Sequence, residues 1–350
     1  MKKTKDDYRK LYADTIIDAV KQIDKGNNRP FVTSSPSNGL ETIIENYIAK
    51  DPQDPLYDYE TSFQESISPE GNIFSAEETF RVKHIESNLP LPVTNDSLRN
   101  FAQLIYLSQI NQAMTLKSIS DLCRLHSSTD MIYPKTSQSH TMGLMYWQIN
   151  NIWQAPTWAT IEYGLKWKMS HYYVGHMYVP VYPIAMLTPY LANVTDENAQ
   201  VSFYVINELL NDTRGDLICS IYTLDTLSPR LSFGNDILFT SPGVQNIMNF
   251  PYSLLMKRVD CKDNSPCIIH CLLNHNQHQI GQTLFLNRPK NYQLLNPNLQ
   301  IESIKQISST DSNITITVDR PALFVWLDIT ANVTGYFSRN EFHVSTKNDY

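Results

Sequence analysis

Glycine is scarce in this 350-residue sequence, at 11 residues, which excludes collagen, glycine-rich linkers and most loops that cradle phosphate. Positive charge is also in deficit. Lys and Arg number 28 against 35 Asp and Glu, a net charge of -7, the wrong sign for a surface that tracks nucleic-acid phosphates. Nucleic acid is therefore not an expected partner. No run approaches the roughly 18 consecutive apolar residues of a membrane helix, so no membrane partner is expected either. The Walker lysine loop, the dinucleotide fingerprint, the His-Glu-x-x-His helix and the Gly-x-Ser-x-Gly elbow are all missing. Their absence removes the NTPases, Rossmann dehydrogenases, zincins and α/β-hydrolases that a motif reveals, and no cofactor is implied. Internal repeats and low-complexity segments are missing as well.

What is present reads as globular. Hydrophobic residues make up 42% and charged residues 18%, and the length accommodates two or three packed domains. Aromatics are plentiful, with 20 Tyr, 13 Phe and 5 Trp, a composition that suits β-sandwiches and sugar-stacking platforms alike. The opening segment spaces Leu11, Ile16, Ile17, Val20 and Ile23 between charges, the pattern of an amphipathic helix rather than of a signal peptide.

The grammar of the chain changes midway. Residues 8–24 read as a helix, 30–33 as a short buried strand and 39–50 as a second helix, followed by a polar irregular stretch to about residue 94. Phe101, Leu104, Ile105, Leu107, Ile110, Met114, Leu116, Ile119 and Leu122 then mark one strong amphipathic helix capped by Asn95 or Ser97. Residues 143–149 read as a buried strand. Beyond residue 168, runs rich in Val, Ile, Tyr and Phe (178–184, 201–206, 217–222, 267–273, 282–286, 314–318 and 323–329) alternate with Asn, Asp, Pro and Ser turns, which predicts antiparallel sandwiches.

Four of the five tryptophans, Trp147, Trp153, Trp158 and Trp167, fall within 21 residues. Clustered indoles can stack on the C–H face of a pyranose while the ring N–H donates a hydrogen bond. Trp147 is the ring expected to be functional, and packing is the weightier reading for the other three. Cys261, Cys267, His270, Cys271, His275 and His278 carry zinc-ligand chemistry without zinc-ligand spacing. A strand over 267–273 would also point His270 away from Cys267 and Cys271. A local Cys261–Cys267 disulfide, or reduced core cysteines, is the better reading, and no metal is expected. Sequons begin at Asn95, Asn193, Asn211, Asn313 and Asn332, which with the clustered cysteines suggests descent from a secreted or vesicular protein whose leader is missing here. Carboxylates such as Asp58, Glu60, Glu65 and Glu162 read as solvated charges.

Two runs carry a resemblance: Arg29-Pro30-Phe31-Val32-Thr33-Ser34-Ser35-Pro36-Ser37-Asn38-Gly39, and His140-Thr141-Met142-Gly143-Leu144-Met145-Tyr146-Trp147-Gln148-Ile149-Asn150-Asn151-Ile152-Trp153-Gln154-Ala155-Pro156-Thr157-Trp158. There the chain resembles the lysosomal-type β-mannosidases of glycoside hydrolase family 2. The likeness continues through Glu162-Tyr163-Gly164, Lys166-Trp167-Lys168-Met169, Phe324-Val325-Trp326-Leu327-Asp328 and Gly335-Tyr336-Phe337-Ser338.

This resemblance implies a mixed fold, α/β plus all-β. A partial (β/α)8 TIM-barrel remnant would occupy residues 1–168, an immunoglobulin-like sandwich 175–288, and a second, truncated sandwich 289–350. Residues 31–34 would be a late barrel strand and 144–149 the last, with catalytic groups at the C-terminal strand ends. Trp147 would pack on the mannose, with Asn151 and Trp153 as accompanying substrate contacts; Asn151 stands where the family pattern has Asp. The substrate class implied is a β-mannoside oligosaccharide of glycoproteins, and the compartment lysosomal or secretory. Family members are retaining hydrolases with one Glu as acid/base and one as nucleophile. The Asn-Glu motif of the first is not found, and after Tyr57-Asp58-Tyr59 the chain runs Glu60-Thr61-Ser62-Phe63-Gln64-Glu65 in place of the Ala-Ser-Glu-Tyr-Gly motif of the second. No catalytic residue is assigned, and hydrolysis is expected to be weak or absent. The alternative is a non-catalytic carbohydrate- or partner-binding module.

Overall fold

The computed structural model describes residues 84–127, 141, 143–152, 154, 157–189, 192–261, 267–329, 335–340 and 342–344. All belong to one compact unit, His84–Tyr350. The expected helices at 8–24 and 39–50 and the strand at 30–33 lie outside the described residues, as do Asp58, Glu60, Glu65, Trp153 and Asn332.

The long helix α1, Ser97–Leu125, is capped one residue away from each expected cap, Asn95 and Ser97. Asp96 is the cap: its Oδ1 accepts from the backbone N–H groups of Leu98 at 3.0 Å and Arg99 at 3.1 Å. A carboxylate there also meets the positive end of the helix dipole. The apolar stripe read from the sequence is only partly the buried one. Ile110 and Ala113 face the core, whereas Phe101, Ile105, Ile119 and Leu122 are exposed. In the last turns it is Ser120, Asp121 and Arg124 that are buried. Helix α2, Met169–Met177, packs beside α1.

Arg124 explains the inversion. Its Nη1 donates to Met177 O at 2.6 Å, its Nη2 to Val179 O at 2.8 Å, and its Nε meets Glu208 Oε1 at 3.0 Å. The guanidinium carbon lies 5.0 Å from the centre of the Tyr182 ring. One planar fork thus joins the end of α1, the carbonyl end of α2 and the first strand of the sandwich.

Seven antiparallel strands follow: β1 Val181–Thr188, β2 Gln200–Asn207, β3 Thr213–Tyr222, β4 Leu231–Phe239, β5 Gly243–Pro251, β6 Ile268–His275 and β7 His278–Phe285, with helix α3, Tyr252–Val259, between β5 and β6. One sheet has the order β1-β2-β5, the other β4-β3-β6-β7. The chain changes sheet between β2 and β3, β4 and β5, and β5 and β6, as in sandwiches of the immunoglobulin type. Alternating residues of β2 (Val201, Phe203, Val205), β3 (Leu217, Cys219, Ile221) and β6 (Ile269, Cys271, Leu273) fill the space between the sheets. Burying a side chain of this size contributes about 1.5–3 kcal/mol. Gly234 on β4 has no room for a side chain, since a Cβ there would stand 2.1 Å from Leu217 O.

Cys219 and Cys271 are directly opposed on β3 and β6 and form a disulfide within one sheet, unlike the inter-sheet bridge of antibody domains. Cys261 and Cys267 form a second disulfide across the loop from α3 to β6. Cys123 on α1 is free and half-buried. Asn95, Asn193, Asn211 and Asn313 are all exposed.

The C-terminal part has two hairpin-like pairs, β8 Gln300–Gln306 with β9 Ser312–Thr317, and β10 Ala322–Val325 with β11 Phe342–Val344. Strand β10 carries a bulge in which Phe324 adopts φ 55°, a left-handed conformation uncommon for an aromatic residue. Its peptide is gripped from both sides: Phe324 N–H donates to His343 Nδ1 at 3.1 Å, and Phe324 O accepts from the Tyr106 hydroxyl of α1. The Phe324 ring stacks on Phe285 of β7 at 5.4 Å, and His343 meets both rings edge-on. Burial, with lesser contributions from the positive charges of His270 and Lys117, pushes the His343 imidazole down from 6.5 to about 3.

Replacing Arg124 with Ala leaves two carbonyls and Glu208 without their donor, and we expect a loss of about 3 kcal/mol in urea unfolding. The His343 contact has a defined pH signature. The folded state refuses a proton that the unfolded chain accepts at 6.5, so the stability it supplies is full above pH 6.5 and is lost as pH falls towards 3. Urea midpoints at pH 7 and pH 4.5 should therefore converge in His343→Gln relative to wild type. An equal acid-induced drop in both proteins would remove His343 as the source.

Candidate functional site

The tryptophan-bearing segment is not the buried strand expected for residues 143–149. It is an irregular loop in which Met145 is 96% and Trp147 73% exposed. Only isolated bridges give it order, Asn150 with Ile161 and Ile161 with Trp167. The apolar composition that suggested a buried strand here lies largely on the surface, because the described elements cover this segment from one side only.

That inner side is held by Thr160. Its hydroxyl donates to Ile149 O at 3.0 Å and lies 3.2 Å from the Tyr146 hydroxyl and 3.0 Å from His171 Nδ1. Thr160 N–H donates to Gln148 O and Ile161 N–H to Ile149 O, so the chain after Trp147 is zipped to residues 160–161. Burial lowers the pKa of His171 and so favours its neutral ring, and with the Thr160 hydroxyl proton given to Ile149 O it is Nδ1–H that donates to Thr160 Oγ1. Two glutamines of α1 fix the loop to the helix: Gln112 Nε2 donates to Trp158 O at 2.7 Å, and Gln109 Oε1 accepts from Met169 N at 3.1 Å.

The sequence-predicted residues separate on this frame. Trp147 projects into solvent and Trp158 is 53% exposed, with Ile149, Ile152 and Tyr163 also exposed around the loop. Asn151 is buried, and its Oδ1 accepts from the Thr157 hydroxyl, which in turn accepts from Ala159 N. Trp167 is a packing ring. It stacks on Tyr336 at 4.5 Å and meets His171 and Tyr172 edge-on, while Tyr172 meets Trp326. Lys166 pairs with Asp328 at 2.7 Å beside this ladder. Glu162 is the sole carboxylate between residues 143 and 168. Among the described residues there is no cluster of His, Cys, Asp and Glu able to hold a metal ion. Sequence reasoning missed Thr160 and His171, because a threonine hydroxyl and a histidine become partners only through the loop's return path.

The described residues thus combine a sandwich of immunoglobulin type with a loop that exposes Trp147 and Trp158. An Ig-fold domain family of mannosidases matches residues 294–349. The chain is 28% identical to a mouse β-mannosidase over 98% of its own length and 42% of that protein's. It is 27% identical to β-mannosidase A of Aspergillus oryzae over 74% of this chain and 27% of the relative. The crystal structure of a β-D-mannosidase from Dictyoglomus thermophilum superposes with a TM-score of 0.60 at 20% identity, covering 89% of this chain and 33% of that one. These findings support a likeness to the β-mannosidases of glycoside hydrolase family 2, with this chain matching their C-terminal part. It spans less than half the length of the curated relatives it matches. Among the described residues, no helix is long and apolar enough to cross a membrane.

Thr160→Val keeps the shape of the side chain and removes the hydroxyl hub. We expect a loss of about 1–2 kcal/mol and faster amide exchange at Thr160 and Ile161, read by urea denaturation and hydrogen exchange.

Proposed function

We propose that this chain is the C-terminal portion of a glycosidase acting on terminal β-linked mannose of glycoprotein oligosaccharides, and that the 350 residues by themselves do not hydrolyse it. The reading rests on the likeness to β-mannosidases over nearly the whole chain together with one chemical observation. The aromatic loop that would hold the sugar offers a single carboxylate, Glu162. A retaining mechanism requires two, about 5–5.5 Å apart. The mouse alignment spans 400 positions, more than this chain contains, which supports a deletion relative to the family. On this reading residues 1–168 are a TIM-barrel remnant, 175–288 an immunoglobulin-like sandwich and 289–350 a second, truncated one. Trp147 is the sugar-stacking ring, accompanied by Asn151 and Trp153, and the protein belongs in a lysosomal or secretory compartment, without a cofactor.

A second reading, a non-catalytic carbohydrate-binding module, is favoured by the exposure of Trp147 and Trp158. Purified chain and Trp147→Ala should release p-nitrophenol from p-nitrophenyl β-D-mannoside at acidic pH at the same background rate. Turnover that the substitution abolishes would overturn the inactive reading. Titrating mannose and chitobiose against tryptophan fluorescence separates the two readings: a saturable shift lost in Trp147→Ala supports the binding module, and a flat response rejects it.

A further inference from the structure

The ladder of Tyr336, Trp167, Tyr172 and Trp326 reaches the surface at Tyr336, which is 69% exposed. Its ring lies on Trp167 with the centres 4.5 Å apart and the planes 19° from parallel. The indole behind it is itself held edge-on by His171 and Tyr172. Tyr336 is therefore a ring backed on one side and presented to solvent on the other. A ring fixed in this way has little rotamer freedom left to lose when a ligand lands on it.

An exposed ion pair stands at the edge of this platform. Lys166 precedes Trp167 in the chain, and its Nζ lies 2.7 Å from Asp328 Oδ1. Gly335, just before Tyr336, approaches Ile329, just after Asp328: a Cβ on the glycine would be 3.8 Å from Ile329 Cδ1. The pair and the stacked rings thus occupy neighbouring residues on both segments. Asp328 Oδ1 also accepts from Ile329 N–H at 2.9 Å, which fixes the carboxylate. Among the described residues Lys166 Nζ donates only to Asp328 Oδ1, and Asp328 Oδ2 accepts from no group, so donors and an acceptor stand side by side, open to water.

The backbone goes to some length to put Lys166 there. Glu162 N–H donates to Lys166 O at 2.8 Å, Leu165 N–H donates to Glu162 O at 2.9 Å, and Leu165 closes this tight turn at φ 66°. A left-handed conformation is unfavourable for leucine, and the Leu165 side chain is 73% exposed, so burial does not offset it. An exposed ion pair adds little stability either. What the turn achieves is placement.

We infer that Tyr336, with the Lys166–Asp328 pair at its edge, is an accessory binding site for an uncharged pyranose unit of an oligosaccharide. The C–H face of the sugar stacks on the open face of Tyr336, while its hydroxyls accept from Lys166 Nζ and donate to Asp328 Oδ2. The pair is neutral as a whole and so selects neither an anion nor a cation. A purely apolar partner would strip water from both charges without replacing its hydrogen bonds, which leaves a polyhydroxylated ring as the ligand that suits the surface. The site requires neither hydrolysis nor a sugar on Trp147, so it stands or falls apart from both readings of the aromatic loop.

Saturation-transfer NMR on the 350-residue chain with methyl β-D-mannopyranoside and N,N′-diacetylchitobiose tests this, with sorbitol as an acyclic polyol that has hydroxyls but no ring face. Saturable transfer to the ring C–H protons of at least one of the two glycosides is expected, with a Kd on the order of 1 mM for a single stacked ring at an open surface, and none to sorbitol. Trp147→Ala should leave this affinity unchanged. Tyr336→Ala sets the nearest ring 4.5 Å deeper and should weaken binding by about tenfold, with an unchanged far-ultraviolet circular dichroism spectrum because the side chain is exposed. Tyr336→Phe keeps the ring face and should retain binding, and Lys166→Met, which keeps the stem and removes the donor, should weaken it about threefold. No saturable transfer to the wild-type chain, equal transfer to sorbitol, or unchanged affinity in Tyr336→Ala would overturn the inference. Binding lost in Trp147→Ala and kept in Tyr336→Ala would place the sugar on the loop and overturn it as well.

Discussion

The Arg124 guanidinium is the constraint on which the rest of the structure depends. Three segments that do not otherwise share a backbone ladder end at it: α1, the C-terminal carbonyl of α2, and the start of β1. A buried cation is tolerable only when its donors are met, and here two backbone carbonyls, a carboxylate and an aromatic face meet them. This fixes the helix pair against the first sheet of the sandwich. The rotation of α1 that brings Arg124 inward is the same rotation that turns Phe101, Ile105, Ile119 and Leu122 outward.

A second joint is made at the other end of the unit. Phe324 is held in a left-handed conformation because Tyr106 from α1 and His343 from β11 bond its carbonyl and its N–H, and Phe285 of β7 receives its ring. Strain of this kind persists where several neighbours fix it together. The aromatic ladder Tyr336, Trp167, Tyr172 and Trp326 runs beside this joint and ties the loop after Trp147 to the C-terminal residues. A cavity of about 100 Å³ is lined from both α1, by Lys117, and β11, by His343.

Much of the sandwich was legible in the sequence. The expected strands at 201–206, 217–222 and 267–273 fall on β2, β3 and β6, whose β-branched and aromatic residues alternate across a buried face. Strands β4, β5 and β8 were not legible. Their sequences carry Gly234, Asn235 and Asp236, Asn246 and Asn249, and Glu302 and Lys305, and most of their residues are exposed or half-buried, so no hydrophobic alternation marks them. The bridge between Cys219 and Cys271 was likewise hidden: 52 residues separate them, and only the register of β3 on β6 sets them opposite each other. Cys261 and Cys267 are six residues apart, close enough for the pairing to be weighed from spacing alone.

The sequence by itself determined what local patterns encode: the long helix, the strongest strands, the clustered tryptophans, and the motif runs that carry the likeness to β-mannosidases. Tertiary structure decided which side of each pattern is used. It placed the cap at Asp96, turned half of an apolar helical stripe to the surface, left Trp147 exposed, made Trp167 a packing ring, and gathered Lys117, His176, His270, Arg339 and His343 around one cavity. The physical reason is common to all of these. Helical and strand periodicity specify which residues share a face, but the partner of that face, and hence its burial and charge environment, comes from segments dozens to hundreds of residues away.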